Sequence, residues 1–209
     1  MSSALIELQL LPSLEYFCAL QPVDHIVLEK HEHFTKQSYR NRCYILAAHG
    51  PVRLTVPLRH VPGKSRITEV QIDDSSRWQT NFWRTLESAY AKAPFYEHYA
   101  GSLREEIFRD HQFLYAMNKA LLSLCLQWLR WSKSISESVD YEKISSAPIT
   151  DLRGQISAKR NFSLREFYLP QPYQQVFGSN FVPNLSLIDL VFCEGPGASA
   201  ILNASRPKN

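Results

Sequence analysis

The densest run of chemistry-bearing side chains is Lys36-Gln-Ser-Tyr-Arg-Asn-Arg42. It packs three cations and four neutral hydrogen-bonding side chains into seven residues, directly ahead of Cys43 and an apolar, strand-like stretch. Runs of this composition bind anions. A guanidinium offers a planar fork of donors matched to phosphate or carboxylate, and Asn fixes local backbone geometry. In an extended segment residues two apart share a face, which puts Arg40 and Arg42 together with Ser38 and Lys36 behind them and Asn41 between. The competing reading is a solvated edge, with Asn41 in a turn or an Arg in a structural ion pair.

A second group lies near the C-terminus: Asn184, Ser186 and Asp189. Asp189 falls one turn into an apolar helix, among Leu187, Ile188, Leu190, Val191 and Phe192, where an unpaired carboxylate is costly. Arg40 or Arg42 is the expected partner, with Asp189 orienting it or acting as a catalytic base. The competing reading is a capping box between Ser186 and Asp189, although Glu or Gln is the usual partner. Tyr173 and Gln174 are expected to line the same site.

Other candidates are thinner. His31, His33 and Glu29 have strand-face spacing for metal ligands, but no third convergent ligand is visible, so no metal is assigned. His98 and His111 read as surface residues. Cys43 follows the cations, which lowers a thiol pKa if it is exposed, but it opens an apolar strand and reads as buried. No Gly-x-Ser-x-Gly elbow, Walker pattern or dinucleotide glycine pattern occurs among only seven glycines. Trp78, Trp83, Trp128 and Trp131 sit mostly at helical core spacing and read as packing.

The elements that must position these residues follow from periodicity. Ala4–Leu11 reads as a strand stopped by Pro12, and Ser13 caps a short helix through Leu20. His25–Glu29 is a second strand. Cys43–Ala48 and Val52–Leu58 flank His49-Gly50-Pro51 and read as a hairpin. Ile67–Ile72 alternates as a half-buried strand. Helices are expected over Trp78–Ala91, Phe95–Arg109 and His111–Trp131, the last apolar over much of its circumference. Lys133–Arg160 reads as an edge strand at Ser134–Tyr141 plus a long loop, and Leu185–Cys193 as an apolar helix ending at Gly195. The expected fold class is α/β: a single domain with a mixed sheet from the N-terminal half packed against central helices.

Composition bounds the function. A chain of 209 residues, 44% hydrophobic, can bury a proper core. A net charge of +3 lacks the concentrated basic footprint of a nucleic-acid binder, so no nucleic acid is expected as partner. The apolar stretch around Ala120–Leu129 is too short for a membrane span. Met1–Leu11 has no Lys or Arg ahead of its apolar residues, which argues against a secretory signal. The cytoplasm is the expected compartment. Cys18, Cys43, Cys125 and Cys193 are scattered, without a Cys-x-x-Cys pair, and are expected to be reduced and buried.

Several multi-residue pieces occur in a recognisable order: Pro12-Ser-Leu-Glu-Tyr-Phe17, Lys36 to Arg42, Leu54-Thr-Val-Pro57, Glu87-Ser-Ala-Tyr90 and Lys92-Ala-Pro-Phe-Tyr96. They continue with Tyr173-Gln-Gln-Val-Phe177 and Pro183-Asn-Leu-Ser-Leu-Ile-Asp-Leu-Val-Phe192. On these the chain resembles the WbqC-like family, in its short Bacteroidetes-type form. The resemblance implies polysaccharide-related chemistry on sugar intermediates: amide or aminoacyl transfer onto an amino sugar. Longer members carry a Gln-Pro-Asn-Tyr-Phe-Pro-Trp-like motif. Here Glu7-Leu-Gln-Leu-Leu-Pro12-Ser stands in that region, so the roles of those residues do not carry over.

The leading expectation is an acyl or aminoacyl transferase acting on a small anionic or nucleotide-linked substrate. Lys36, Arg40 and Arg42 would grip its negative charge, with Asp189 as catalytic group. The rival is a non-catalytic binding protein using the same basic pocket. The sequence names no cofactor.

Overall fold

The apolar N-terminal stretches pair side by side and in the same direction. In this computed structural model, which describes residues 2–141, 149–164 and 166–207, β1 (Ser3–Ile6) crosses through helix α1 (Leu14–Leu20) to β2 (His25–Leu28). The two strands are parallel, with Ser3 opposite His25 and Ile6 opposite Leu28. Ala4, Leu5 and Ile6 are all buried, as a strand covered on both faces requires. The expected strand through Leu11 stops early. Leu10 N–H donates to the Tyr39 carbonyl and Leu11 adopts φ +40, so the chain leaves the sheet after Ile6.

The expected hairpin is present as β3 (Arg42–Ala47) and β4 (Gly50–Thr55), antiparallel, with Ala47 opposite Gly50 and a two-residue turn. Gly50 takes φ +112 there, a conformation that favours glycine. The strand expected over Ile67–Ile72 does not form. A 3₁₀ turn spans Ile67–Glu69, and only single bridges tie Gln71 to Phe113 and Ile72 to Leu58. Ile67, Val70 and Ile72 are the buried residues, and the three-residue step from Ile67 to Val70 is met by a turn as well as by a strand.

Helices α2 (Trp78–Tyr90), α3 (Tyr96–Phe108) and α4 (Leu114–Trp128) follow within a few residues of expectation. β5 (Ser134–Glu137) then joins the free edge of β2, and β6 (Thr150–Asp151) the free edge of β1, both parallel. The order is β5-β2-β1-β6. Two of the four strands thus come from beyond the central helices, and the antiparallel pairing sits in the separate hairpin. Of the loop expected across this region, 142–148 lies outside the described residues.

Helix α5 (Leu187–Glu194) ends at Gly195, as expected, with φ +51. A Cβ there would lie 2.4 Å from Phe95 Cδ1, so a larger residue would collide with the ring. A short 3₁₀ turn (Gly195–Gly197) leads into α6 (Ala198–Ala204). The stretch Leu187–Ala204 is apolar enough to cross a membrane by length and composition, but 56% of it is buried in the protein. It is the core closure of an α/β fold.

Candidate functional site

Because all four sheet strands run in one direction, the residues just past their carboxyl ends meet on one side. Chain order steps from β1 to β2 to β5, then returns to β6, so the reversal lies between β1 and β6. In open α/β sheets the crevice beside such a reversal is where ligands bind. Here a polar residue follows each strand: Glu7 after β1, Glu29 after β2, Ser138 after β5, and Arg153 after β6.

These residues form a buried charge network. Glu29 is 0% exposed. Its Oε1 accepts the Ser138 hydroxyl and the His31 N–H, each at 2.8 Å, and its Oε2 accepts Arg153 Nη1 at 2.8 Å. Arg153 also grips Asp151, Nε to Oδ1 at 3.0 Å and Nη2 to Oδ2 at 2.7 Å. Glu7 Oε2 accepts the Gly154 N–H at 2.9 Å, while Gln9 donates to the Ile156 carbonyl at 3.1 Å. Arg40 donates from Nε and Nη2 to the two oxygens of Glu32, at 2.8 and 2.5 Å, and its Nη2 lies 4.0 Å from Glu7.

Four carboxylates therefore share two guanidiniums. Burial pushes the Glu32 carboxyl above its ordinary range and Glu7 and Glu29 add to the rise, against the pull of Arg40. Asp151 is held below its ordinary range by the hydrogen bond from Arg153. Burial raises the Tyr16 phenol, whose hydroxyl donates to the Glu7 carbonyl at 3.0 Å.

A cavity of about 460 Å³ opens on the same side of the sheet, lined by His31, Glu32, His33, Thr35, Arg66, Asp140 and Tyr141. His31 to His33 follow β2 and Asp140 and Tyr141 follow β5, so it lies off the β1–β6 reversal. Glu32 belongs to both, only 9% exposed yet lining the cavity wall.

The basic run is placed differently from its sequence expectation. Residues 36–41 form turns, with Gln37 at φ +57, so the shared extended face of Arg40 and Arg42 does not exist. Lys36 is exposed. Ser38 donates to the Thr35 carbonyl, and Asn41 Nδ2 donates to the Val56 carbonyl at 3.0 Å, pinning the base of the hairpin. Arg42 opens β3 opposite Thr55. Cys43 is fully buried and its thiol is pushed well up by desolvation. All four cysteines are free and buried, as expected.

Asp189 forms a second, separate network and does not pair with Arg40 or Arg42. It accepts the Tyr90 and Tyr173 hydroxyls, each at 2.6 Å, and Gln175 Nε2 at 2.9 Å. Burial raises its pKa, and the three donors oppose the rise. The capping box is also absent. Ser186 donates to the Leu11 carbonyl at 2.7 Å, and Asp189 uses its oxygens on the tyrosines. Asn184 instead caps α1 from across the fold, its Oδ1 accepting the Glu15 N–H at 3.0 Å. Tyr173 and Gln174 line a smaller cavity of about 160 Å³, together with Gln175 and Phe181.

His31 Nε2 donates to the Ser138 carbonyl, 3.2 Å away, and His111 contacts Glu106 at 2.6 Å, half-buried where a surface residue was expected. Among the described residues no cluster of three or more His, Cys, Asp or Glu could hold a metal ion.

Sequence reasoning passed over Glu7, Glu32, Asp151 and Arg153. Only Glu7 carried a signal, a polar residue immediately after a short apolar strand; Glu32 and Arg153 lie further along their loops, and Asp151 stands in a two-residue strand.

A charged crevice at the carboxyl ends of a parallel sheet defines an α/β protein with its site on the strand-end side of the fold. The chain belongs to the WbqC-like protein family, which matches residues 9–166. The match covers β2, β5 and β6 of the sheet, the basic run and the central helices, while β1 precedes it. The Tyr173–Phe177 and Pro183–Phe192 pieces lie beyond it and complete the core. No curated protein and no solved structure matches the chain.

Proposed function

We propose that the protein is a group-transfer enzyme. It moves an acyl or aminoacyl group onto a small anionic or nucleotide-linked, sugar-type substrate held in the cavity beside Glu32. The observation that carries this reading is Glu32 itself, a buried carboxylate with raised proton affinity on the cavity wall. A base of that kind suits abstraction of a proton near neutral pH. Glu32 takes the proton from the attacking amine or hydroxyl as its nitrogen or oxygen bonds to the acyl carbon, and the donor's leaving group departs.

Arg40 fixes the orientation of the carboxylate and is a positioning residue. Asp189 belongs to the closure of the C-terminal segment and takes no part in the chemistry. Membership of the family supports a sugar-directed reaction, and the four buried thiols suit the reducing cytoplasm. The rival reading, a non-catalytic binding protein, uses the same cavity, where Tyr141 is 52% exposed.

Purified protein is incubated with acyl-CoA or aminoacyl donors and nucleotide-linked amino sugars, and products are read by mass spectrometry. An acylated acceptor with wild type, lost in Glu32→Gln, is the expected result. Tight ligand binding without product in any combination would favour the binding protein.

A further inference from the structure

Two kinds of surface on the cavity wall stand on different segments, with the exposed Asp140 carboxylate, which accepts the Tyr141 N–H, beside the second. On one side are three unengaged donors. His33 and Arg66 face each other in an antiparallel bridge, with Phe34 N–H bonded to the Ser65 carbonyl and Ile67 N–H to the Glu32 carbonyl. Residues directly opposite in such a bridge project to the same face. Both line the cavity, as does Thr35. Among the described residues the Arg66 guanidinium has no ion-pair partner, and the Thr35 hydroxyl and His33 ring have no hydrogen-bond partner. Glu32 does not oppose an anion here, because Arg40 neutralises it.

On the other side stands an aromatic slab. Tyr141 lines the cavity, is 52% exposed, and has the Arg153 guanidinium 5.1 Å from its ring centroid. That guanidinium is fixed in place by Asp151 and Glu29. The cation supports one face of the ring by cation–π attraction, and the exposed ring is a platform for a flat partner. Aromatic rings at such sites bind nucleobases by stacking, with little dependence on base identity.

We infer that the cavity binds a nucleoside diphosphate: the base on Tyr141 and the phosphates on Arg66, His33 and Thr35. This rests on the proposed transfer reaction only in using its cavity. It selects the nucleotide-linked substrate over a simple anion. A volume of about 460 Å³ lies within the range of small-ligand sites.

The test is calorimetric titration of the full chain with uridine and adenosine 5′-diphosphate, and with ribose 5-phosphate as the baseless control. Wild type is compared with Tyr141→Leu, Tyr141→Phe and Arg66→Gln, each checked for an unchanged melting temperature. Both diphosphates should bind wild type and Tyr141→Phe alike, and lose about tenfold or more in affinity to Tyr141→Leu. Arg66→Gln should weaken diphosphates and ribose 5-phosphate together.

Ribose 5-phosphate binding as tightly as the diphosphates, or an unchanged affinity in Tyr141→Leu, overturns the inference and leaves the transfer reaction standing. So does wild type that binds no nucleotide yet acylates another acceptor through Glu32. Nucleotide binding of the expected pattern, with no acyl product from any donor, supports the inference and removes the transfer reading.

Discussion

Arg40 and Glu32 meet side-on, Nε to Oε1 at 2.8 Å and Nη2 to Oε2 at 2.5 Å, both nearly excluded from solvent. A guanidinium whose composition and setting suit an external anion has its anion already inside the fold. The pair places a carboxylate, not a cation, on the cavity wall. It also ties the segment after β2 to the turn before β3.

Breaking that pair from the cationic side strands Glu32 beside Glu7 and Glu29. Arg40→Ala is expected to cost about 3–5 kcal/mol of stability, the usual penalty for an uncompensated buried charge. Lys36→Ala, on the exposed turn, should change stability by no more than about 0.5 kcal/mol. Urea unfolding of both variants checks the contrast. Equal small losses would mean that the Arg40–Glu32 pair is solvated.

If Glu32 is the base, the rate depends on its ionised form. Its raised pKa moves the acidic limb of the rate profile above the range of an ordinary glutamate. Activity should therefore fall as pH drops through that raised value, and Glu32→Gln should lack the limb along with most of the rate. A wild-type profile flat down to the ordinary glutamate range would rule Glu32 out.

Asp189 yields a stability prediction of opposite character. Its folded pKa is raised, so the folded state holds the proton more tightly than the unfolded chain. Stability from this residue is full below the ordinary aspartate value. It declines as pH rises from there through the folded value. Asp189→Asn should lack that decline and should lose about 1–3 kcal/mol, because an amide cannot accept from all three donors. Unfolding curves across the acidic range separate the two effects.

Asn184 caps α1 through its side chain, and its own backbone sits at φ +56. Asn184→Ala loses the cap and is strained in that conformation, with an expected cost of about 1–2 kcal/mol. Asn184→Gly relieves the backbone and loses only the side-chain bonds, so it should melt above the alanine variant. The reverse order would remove the backbone argument.

Where a single local pattern dominated, it was legible. Trp78, Phe82, Leu86 and Ala89 share one helical stripe, and α2 follows it. The hairpin is marked by His49-Gly50-Pro51 between two apolar runs. Ile67–Ile72 misled because three buried residues at irregular spacing satisfy a turn as readily as a strand. Ser186 and Asp189 looked like a local cap because their spacing fits one, but stronger partners arrive from elsewhere: Leu11 for the hydroxyl, Tyr90 and Tyr173 for the carboxylate.

By itself the amino-acid sequence determined the family, the α/β class, most of the helices and the burial of four thiols. Each of these depends on composition or on residues within a turn or two of one another. Tertiary structure alone decided the site. Glu7, Glu29, Ser138 and Arg153 lie on four separate segments, and only parallel pairing in the order β5-β2-β1-β6 brings their strand ends together. Two of the deciding contacts are equally non-local: Glu29 meets Arg153 across 124 residues, and the Asn184 amide oxygen takes the Glu15 N–H across 169. A carboxylate binds whichever donor the fold brings within hydrogen-bond reach, and nearness along the chain reveals only the local pairs such as Asp151 with Arg153.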